Sequence, residues 1–441
     1  MTRPLTIENL PATELAERFG TPLYIISETA IRERYRRTQA AARAVYPRAN
    51  VYYAVKANPI LAVRRILAEE GAGGDVFSAG ELALSRRAGV PGSKLVMNGQ
   101  AKDEPELELA VREGITVTLD NLGELELLVS VARRLGAKAS VFVRLKLALD
   151  RVASGAEEEG PKIAERVART VWGFTEEEAI PAVKRALEAP ELELRGYHHH
   201  IGYFVPRPAY HGDLMRDVVA GIARLRDATG YAPGTLDLGG GWAYPADPES
   251  GNPDAHQVPP PEEFARVQLG SLKASLDDQG LPHPEVIFEL GRSLVGESAT
   301  LLGRVRWVKE QHGRRYVITD ATKHLLLRAC IEGYGYRWVK ANDLDAPAAG
   351  PADLFGPTCT DDELAIQYPF AAVARGDLVA ALACGAYAQT FGATLNSLPR
   401  PAVVMVRGDQ AEVVVRRDTL DDILGRYELP TWFAEEARAK L

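Results

Sequence analysis

The strongest chemical signatures in this 441-residue sequence are a lysine, a glycine run and a glutamate, each at the end of a different apolar stretch. Lys56 closes YYAVK, Gly239, Gly240 and Gly241 follow TLDL, and Glu289 lies in VIFELGR just ahead of Gly291 and Arg292. Consecutive glycines let backbone N–H groups approach an anion with no Cβ in the way, the usual requirement of a phosphate cradle. A lysine amine opposite such a cradle can form a Schiff base with a carbonyl. A ligand that is both phosphorylated and an aldehyde satisfies both features, and pyridoxal 5'-phosphate is that cofactor. Its ring is an electron sink while its nitrogen stays protonated, which calls for a neighbouring carboxylate, and Glu289 is the candidate.

Further polar residues fall at the ends of apolar runs: Asp75 in GDVF, Arg144 in SVFVRL and the triplet His198, His199 and His200. On a strand alternate residues share a face, so only His198 and His200 would point the same way. With no supporting carboxylate legible nearby, no metal site is expected, and His200 is assigned to lie against the cofactor ring.

These residues need a frame that gathers strand ends, and the sequence supplies one. Short β-branched or apolar runs occur at 52–55, 74–77, 95–98, 116–120, 140–145, 195–200, 235–239 and 286–290, separated by amphipathic helical stretches such as ILAVRRILAEE and LGELELLVSVARRLG. Eight such units predict an α/β fold, a (β/α)8 barrel whose chemistry sits at the C-terminal ends of its strands. The stretch 148–165, rich in Gly, Glu and Ala, reads as an exposed, flexible insertion. After Arg292 the pattern becomes strand-rich without long helices, in TLLGRVRWV, RYVITDA, GDLVAALAC and AVVMVRGDQAEVVVRRD, which predicts a second, mostly antiparallel β domain. The expected division is a barrel over 27–298 and a β domain formed by 1–26 with 299–441.

Composition narrows the partners. Hydrophobic residues make up 46% and charged residues 25%, and the net charge is −8, so nothing favours nucleic acid or an anionic membrane over a small molecule. The longest apolar run, LVAALACGAYA, is too short to span a bilayer, and the start lacks a signal-peptide core; a cytoplasmic location is expected. Cys330, Cys359 and Cys384 show no paired spacing.

The motifs, in this order along nearly the whole chain, resemble the fold type III decarboxylases that act on diaminopimelate, ornithine and arginine and share their barrel with alanine racemase. YYAVKANP looks like the cofactor-lysine segment, HHHIGY is similar to HxHIGS, DLGGGW to the phosphate-binding glycines, and ELGR stands where the family has EPGR. The resemblance implies that Lys56 carries the cofactor, that Glu289 serves the ring nitrogen and that Arg292 serves phosphate or substrate. GPTC resembles the GPxC motif, whose cysteine, here Cys359, reaches the partner subunit's active site and helps reprotonate Cα. CGAY carries over Tyr387 to cofactor or substrate. A homodimer with shared sites is thereby implied.

DATKHLLLRACIEG is similar to the segment of diaminopimelate decarboxylase that supplies an arginine for the distal carboxylate, here Arg328. Departures gather at that end. CTD replaces CES, leaving Asp361 to stand in for the glutamate, Ile331 and Glu332 replace LY, Tyr203 replaces the serine after HIG, and TVWGF replaces the SKFG-like segment. The expected activity is α-decarboxylation, first of meso-diaminopimelate, then of ornithine, lysine, arginine or a biosynthetic amino-acid conjugate. Racemization and a non-catalytic regulatory role are the remote alternatives.

Overall fold

The computed structural model describes residues 2–155, 159–248, 258–327 and 335–433. Eight parallel strands close into a barrel: Ala49–Ala54, Gly73–Val76, Leu95–Met97, Thr116–Leu119, Ala139–Lys146, Leu192–His198, Thr235–Asp237 and Glu285–Leu290. Each pairs with the next in sequence, and the eighth returns to the first, with Glu289 opposite Tyr52 and Leu290 opposite Tyr53. No sheet edge is left within the barrel.

Local sequence sets the outer helices. Helix Glu104–Glu113 opens with a capping box between Asp103 and Glu106, carries Pro105 in its first turn and stops at left-handed Gly114. Thr175 and Glu178 form the same reciprocal cap on helix Glu176–Glu188, and Asn121 caps Leu122–Leu135. Helix Glu28–Val45 precedes the first barrel strand and packs between helices Leu61–Glu69 and Pro261–Asp278, completing the outer layer.

Inside the barrel an apolar plug of Val96, Phe142 and Ile287, with Tyr52 against it, closes the lower end. Side chains on a strand repeat on one face every second residue. One step further along the same faces therefore stand Asn98, Arg144 and Glu289, so a dry floor passes directly into a polar chamber at the strand ends.

The stretch read as a flexible insertion instead contains helices Asp150–Ser154 and Gly160–Arg169. Val152, Ile163 and Val167 are buried, the latter two one helical turn apart, which anchors the segment in spite of its polar composition.

A second sheet, mostly antiparallel, is built around Ala299–Gln311, which pairs with Leu23–Ser27, Arg314–Thr319 and Leu378–Ala381. Strand Leu23–Ser27 also lies parallel to Ala402–Arg407, so the opening residues are central members of this sheet. Helix Ala12–Phe19 covers it through Leu15 and Ala16, packed with Leu23, Leu302 and Val404. No helix among the described residues is long and apolar enough to cross a membrane.

Candidate active site

Lys56 lies in the single 3₁₀ turn Val55–Ala57 that ends the first barrel strand. Its Nζ donates to Asp75 at the end of the second strand and stands 4.4 Å from the centre of the Phe77 ring. Burial alone would lower the pKa of this amine, but the charge of Asp75, reinforced by Glu289, holds it above its ordinary value. Asp75 is fully buried, and its pKa is raised by that burial and by Glu289, with Lys56 pulling the other way.

Glu289 occupies the centre of the chamber. Asn98 Nδ2 donates to its Oε1 at 2.6 Å and also reaches Asp75 Oδ1 at 2.8 Å, while His198 Nε2 lies 3.3 Å from its Oε2. Burial works against the charge, but His198, Lys56 and Asn98 outweigh it and bring the pKa of Glu289 down to about 2. Neighbouring Asp237 goes the opposite way: burial, and then the charge of Glu289, push it well above the carboxylate range. Of these two neighbouring carboxyl groups, Glu289 is the one whose surroundings favour the charged form. His198, Asp237 and Glu289 bring ligand-type atoms within 4.8 Å of one another. Within the cluster Glu289 is engaged by Asn98 and His198, and Asp237 Oδ1 accepts from the Gly239 N–H.

His198 and His200 both line the chamber, whereas His199 turns away to the carbonyl of Leu145 at 3.1 Å. His200 is held well below its ordinary pKa by burial and by Arg144, and its Nδ1 accepts from the Gly240 N–H at 3.2 Å. The Gly239 N–H donates to Asp237 at 2.9 Å, so the first two amides of the glycine run are engaged within the chain and Gly241 follows them. A side chain at Gly240 would run into the carbonyl of Glu289, and Gly241, at φ +99°, would place a Cβ 2.7 Å from the carbonyl of Gly202. Gly291 packs so closely that a Cβ there would meet Ala57 at 2.9 Å and the Tyr387 hydroxyl at 3.5 Å. Arg292 is buried, 3.4 Å from Asp247, with its guanidinium 5.2 Å from the Tyr387 ring centre. The Tyr387 N–H donates to Ala57 O, one residue from Lys56.

A cavity of about 360 Å³ opens beside these groups, lined by Lys56, Asn98, Arg144, His198, His200 and Glu289 among others. Arg144 stacks its guanidinium 4.9 Å from the Trp172 ring centre. Lys56, Asp75, Arg144, His200, the three glycines and Glu289 are thus gathered at one end of the barrel, with Gly291, Arg292 and Tyr387 alongside. Cys359 and Asp361 lie elsewhere: both are exposed in the second domain, and Cys359 Sγ stands 3.4 Å from Asn396 Oδ1. Arg328 lies outside the described residues. Sequence reading passed over Asn98, Asp237 and Asp247, and met Trp172 only within the TVWGF departure; the first two stand at barrel strand ends, where position alone could have marked them.

Residues 30–296 match the sequence family described as "Pyridoxal-dependent decarboxylase, pyridoxal binding domain". The chain belongs to the pyridoxal-dependent decarboxylases. This decarboxylase is 33% identical to the diaminopimelate decarboxylase of Zymomonas mobilis over 97% of both chains. It is equally similar, at 33%, to that of Methanothermobacter thermautotrophicus over 97% of this chain and 96% of the other. A crystal structure of diaminopimelate decarboxylase from M. jannaschii in co-complex with L-lysine aligns over 98% of each chain with a TM-score of 0.87 at 27% identity. The decarboxylase is a pyridoxal-phosphate-dependent carboxy-lyase of the diaminopimelate-decarboxylase-like type.

Its residues fit that cofactor. A glycine turn packed too closely for any Cβ, beside the chamber, suits a phosphate, a carboxylate whose surroundings favour its charged form suits a protonated ring nitrogen, and an amine at a strand end suits an aldehyde.

Proposed function

We propose that this decarboxylase acts on meso-diaminopimelate, yielding L-lysine and carbon dioxide. The supporting observation is the 33% identity to diaminopimelate decarboxylases along 97% of the chain, joined to Lys56, His200 and Glu289 lining one chamber, with Gly240 bonded to His200 beside it. A second reading, a biosynthetic amino-acid conjugate as substrate, is favoured by Thr360 and Asp361 beside Cys359, where the resemblance calls for a serine-preceding glutamate.

When bound, the cofactor supplies the electron sink that accepts the charge left by the departing carboxylate. Lys56 provides the amine that anchors it, and Asp75, in contact with that amine, takes and returns its proton. Glu289 keeps the ring nitrogen protonated, because its own pKa is held down by His198 and Asn98. His200, whose pKa is held well below its ordinary value, would face the cofactor ring from the chamber wall and keep water from it. Arg144 orients the ring edge. Gly239, Gly240 and Gly241, with Gly291, Arg292 and Tyr387, hold the phosphate. Arg328 and Asp361 bind the distal end of the substrate, with Arg292 and Tyr387 assisting.

Cys359 returns a proton to Cα in the other copy's site. Its exposure and its distance from this chain's own chamber support a homodimer with shared sites. A barrel unit over 27–298 and a β unit of 1–26 with 299–441 go with the division of the strands between two sheets, and the protein is taken as cytoplasmic.

The test is carbon dioxide release from meso-diaminopimelate, ornithine, lysine and arginine with added pyridoxal phosphate, together with borohydride trapping in Lys56→Ala. Release from meso-diaminopimelate and loss of the trapped adduct are expected. A preference for another amino acid would overturn the substrate, and an undiminished adduct would overturn Lys56.

A further inference from the structure

The chamber holds a second guanidinium that the roles above do not use. Arg166 sits on helix Gly160–Arg169, whose buried Ile163 and Val167 fix its orientation, and its side chain lines the same cavity as Lys56, His200 and Glu289. Its Nε and Nη2 are buried, and neither has a hydrogen-bond partner among the described residues. The group lies over Tyr203, 4.9 Å from the ring centre, and against Gly202, where a Cβ would come 2.7 Å from Nη2. Its chain neighbour Glu165 pairs with Arg169 at 3.4 Å, and Glu289, on the same cavity wall, is held by Asn98 and His198.

Burying guanidinium donors without acceptors is costly, and the cost is relieved when a ligand brings an oxyanion. Arginine's planar fork matches a carboxylate through two parallel hydrogen bonds. Three anionic groups come to this site, the cofactor phosphate and two substrate carboxylates, and the residues assigned to phosphate, Gly239 to Gly241 with Arg292 and Tyr387, are not among those lining the cavity into which Arg166 points. The α-carboxylate leaves as uncharged carbon dioxide, so a guanidinium paired to it would favour the starting state over the transition state. What remains is a carboxylate on the substrate's far end.

We propose that Arg166, stacked on Tyr203, is a specificity residue that binds the distal carboxylate of the substrate, an inference that rests on reading the chain as a decarboxylase of dicarboxylic amino acids. The same charge turns away substrates whose far end carries only an ammonium group. Tyr203 acts as the positioning residue that keeps the guanidinium flat.

The holoenzyme, Arg166→Gln and Arg166→Lys are compared in three assays: meso-diaminopimelate kinetics, calorimetric binding of heptanedioate and of pentane-1,5-diamine, and pyridoxal phosphate affinity. In Arg166→Gln the KM for meso-diaminopimelate and the Kd for heptanedioate are expected to rise about tenfold to a hundredfold, with kcat and cofactor affinity little changed. Pentane-1,5-diamine should bind as well as before or more tightly, and Arg166→Lys should recover part of the loss. Unchanged heptanedioate affinity, no heptanedioate binding by the native holoenzyme, or equal weakening of the diamine would overturn the proposal. So would a loosened cofactor with unchanged KM, which would give Arg166 to the phosphate. A native enzyme that releases no carbon dioxide from meso-diaminopimelate removes the proposed function, while heptanedioate binding still decides the role of Arg166.

Discussion

Asn98 ties Glu289 to Asp75 through a single amide nitrogen, at 2.6 Å from the one and 2.8 Å from the other. Two buried carboxyl groups, one proposed to serve the ring nitrogen and one in contact with the lysine, thus share a donor. Asn98→Ala removes it from both and leaves them facing each other across a gap. We expect kcat to fall about tenfold to a hundredfold, in line with a lost hydrogen bond to a charged group, while Lys56 is still trapped by borohydride. Asn98→Asp adds a third carboxyl group and should also weaken cofactor binding. An Asn98→Ala enzyme with native kcat would show that the shared donor is dispensable.

Gly240 is a steric prediction. A methyl group there has to displace the backbone of Glu289, which cannot yield as the end of a flexible side chain could. Gly240→Ala should lower stability by about 1–3 kcal/mol and reduce pyridoxal phosphate affinity, read by urea unfolding and by cofactor titration. Gly230→Ala is the control, because it lies at a helix C-terminus with no atom near its missing Cβ; it should lose stability through its positive φ but keep cofactor affinity.

The proposed sharing of active sites between two copies makes a quantitative claim. Lys56→Ala and Cys359→Ala should each be nearly inactive alone. If subunits exchange randomly, half the dimers are mixed and each carries one intact site, so mixing should restore about a quarter of native activity. A mixture as inactive as its parents would place Cys359 outside catalysis.

Acid sensitivity follows from buried histidines. His211, packed edge-on against Trp242 and Phe264, is held at about 4 by burial, and His199 at about 3 by burial. Because the folded pKa lies below the unfolded value near 6.5, the unfolded chain binds the extra proton. Stability is therefore complete above about pH 6.5 and declines as pH falls toward 4 and then 3. His211 alone accounts for about 3 kcal/mol over that window. His211→Phe should flatten the decline between pH 6.5 and 4 in urea titrations; an unchanged slope would assign the proton uptake to other groups.

Much of this architecture could be read from sequence, for reasons visible in particular residues. Parallel strands buried on both faces give unbroken apolar runs, so VFVRL and VIFEL announce themselves, and the polar residue that ends such a run is already a site candidate. The strands Trp338–Lys340, Ala348–Phe355 and Glu363–Ala371 were not legible. The first is three residues long, and Gly350, Pro351 and Pro369 interrupt the alternation of the other two, whose pairing is shifted at several points. Asn98 went unnoticed because an asparagine after a three-residue strand has no chemistry of its own until its two carboxylate partners are known. Arg166 gave no signal at all: its value depends on the rotation of a helix whose polar composition suggested a loop. Cys359 and Asp361 were legible as motif residues, yet within one chain they stand apart from the chamber, since what they are read to serve is another copy.

The central position of Leu23–Ser27 in the second sheet has a consequence for biosynthesis. This segment leaves the ribosome before any barrel strand, yet its neighbours on either side are Ala299–Gln311 and Ala402–Arg407. At ordinary elongation speeds it waits on the order of tens of seconds for its first neighbour, an apolar ribbon exposed while the barrel condenses behind it. The nascent chain is therefore most vulnerable to aggregation during that interval, and the helix Ala12–Phe19, translated just ahead, is the nearest cover available to it.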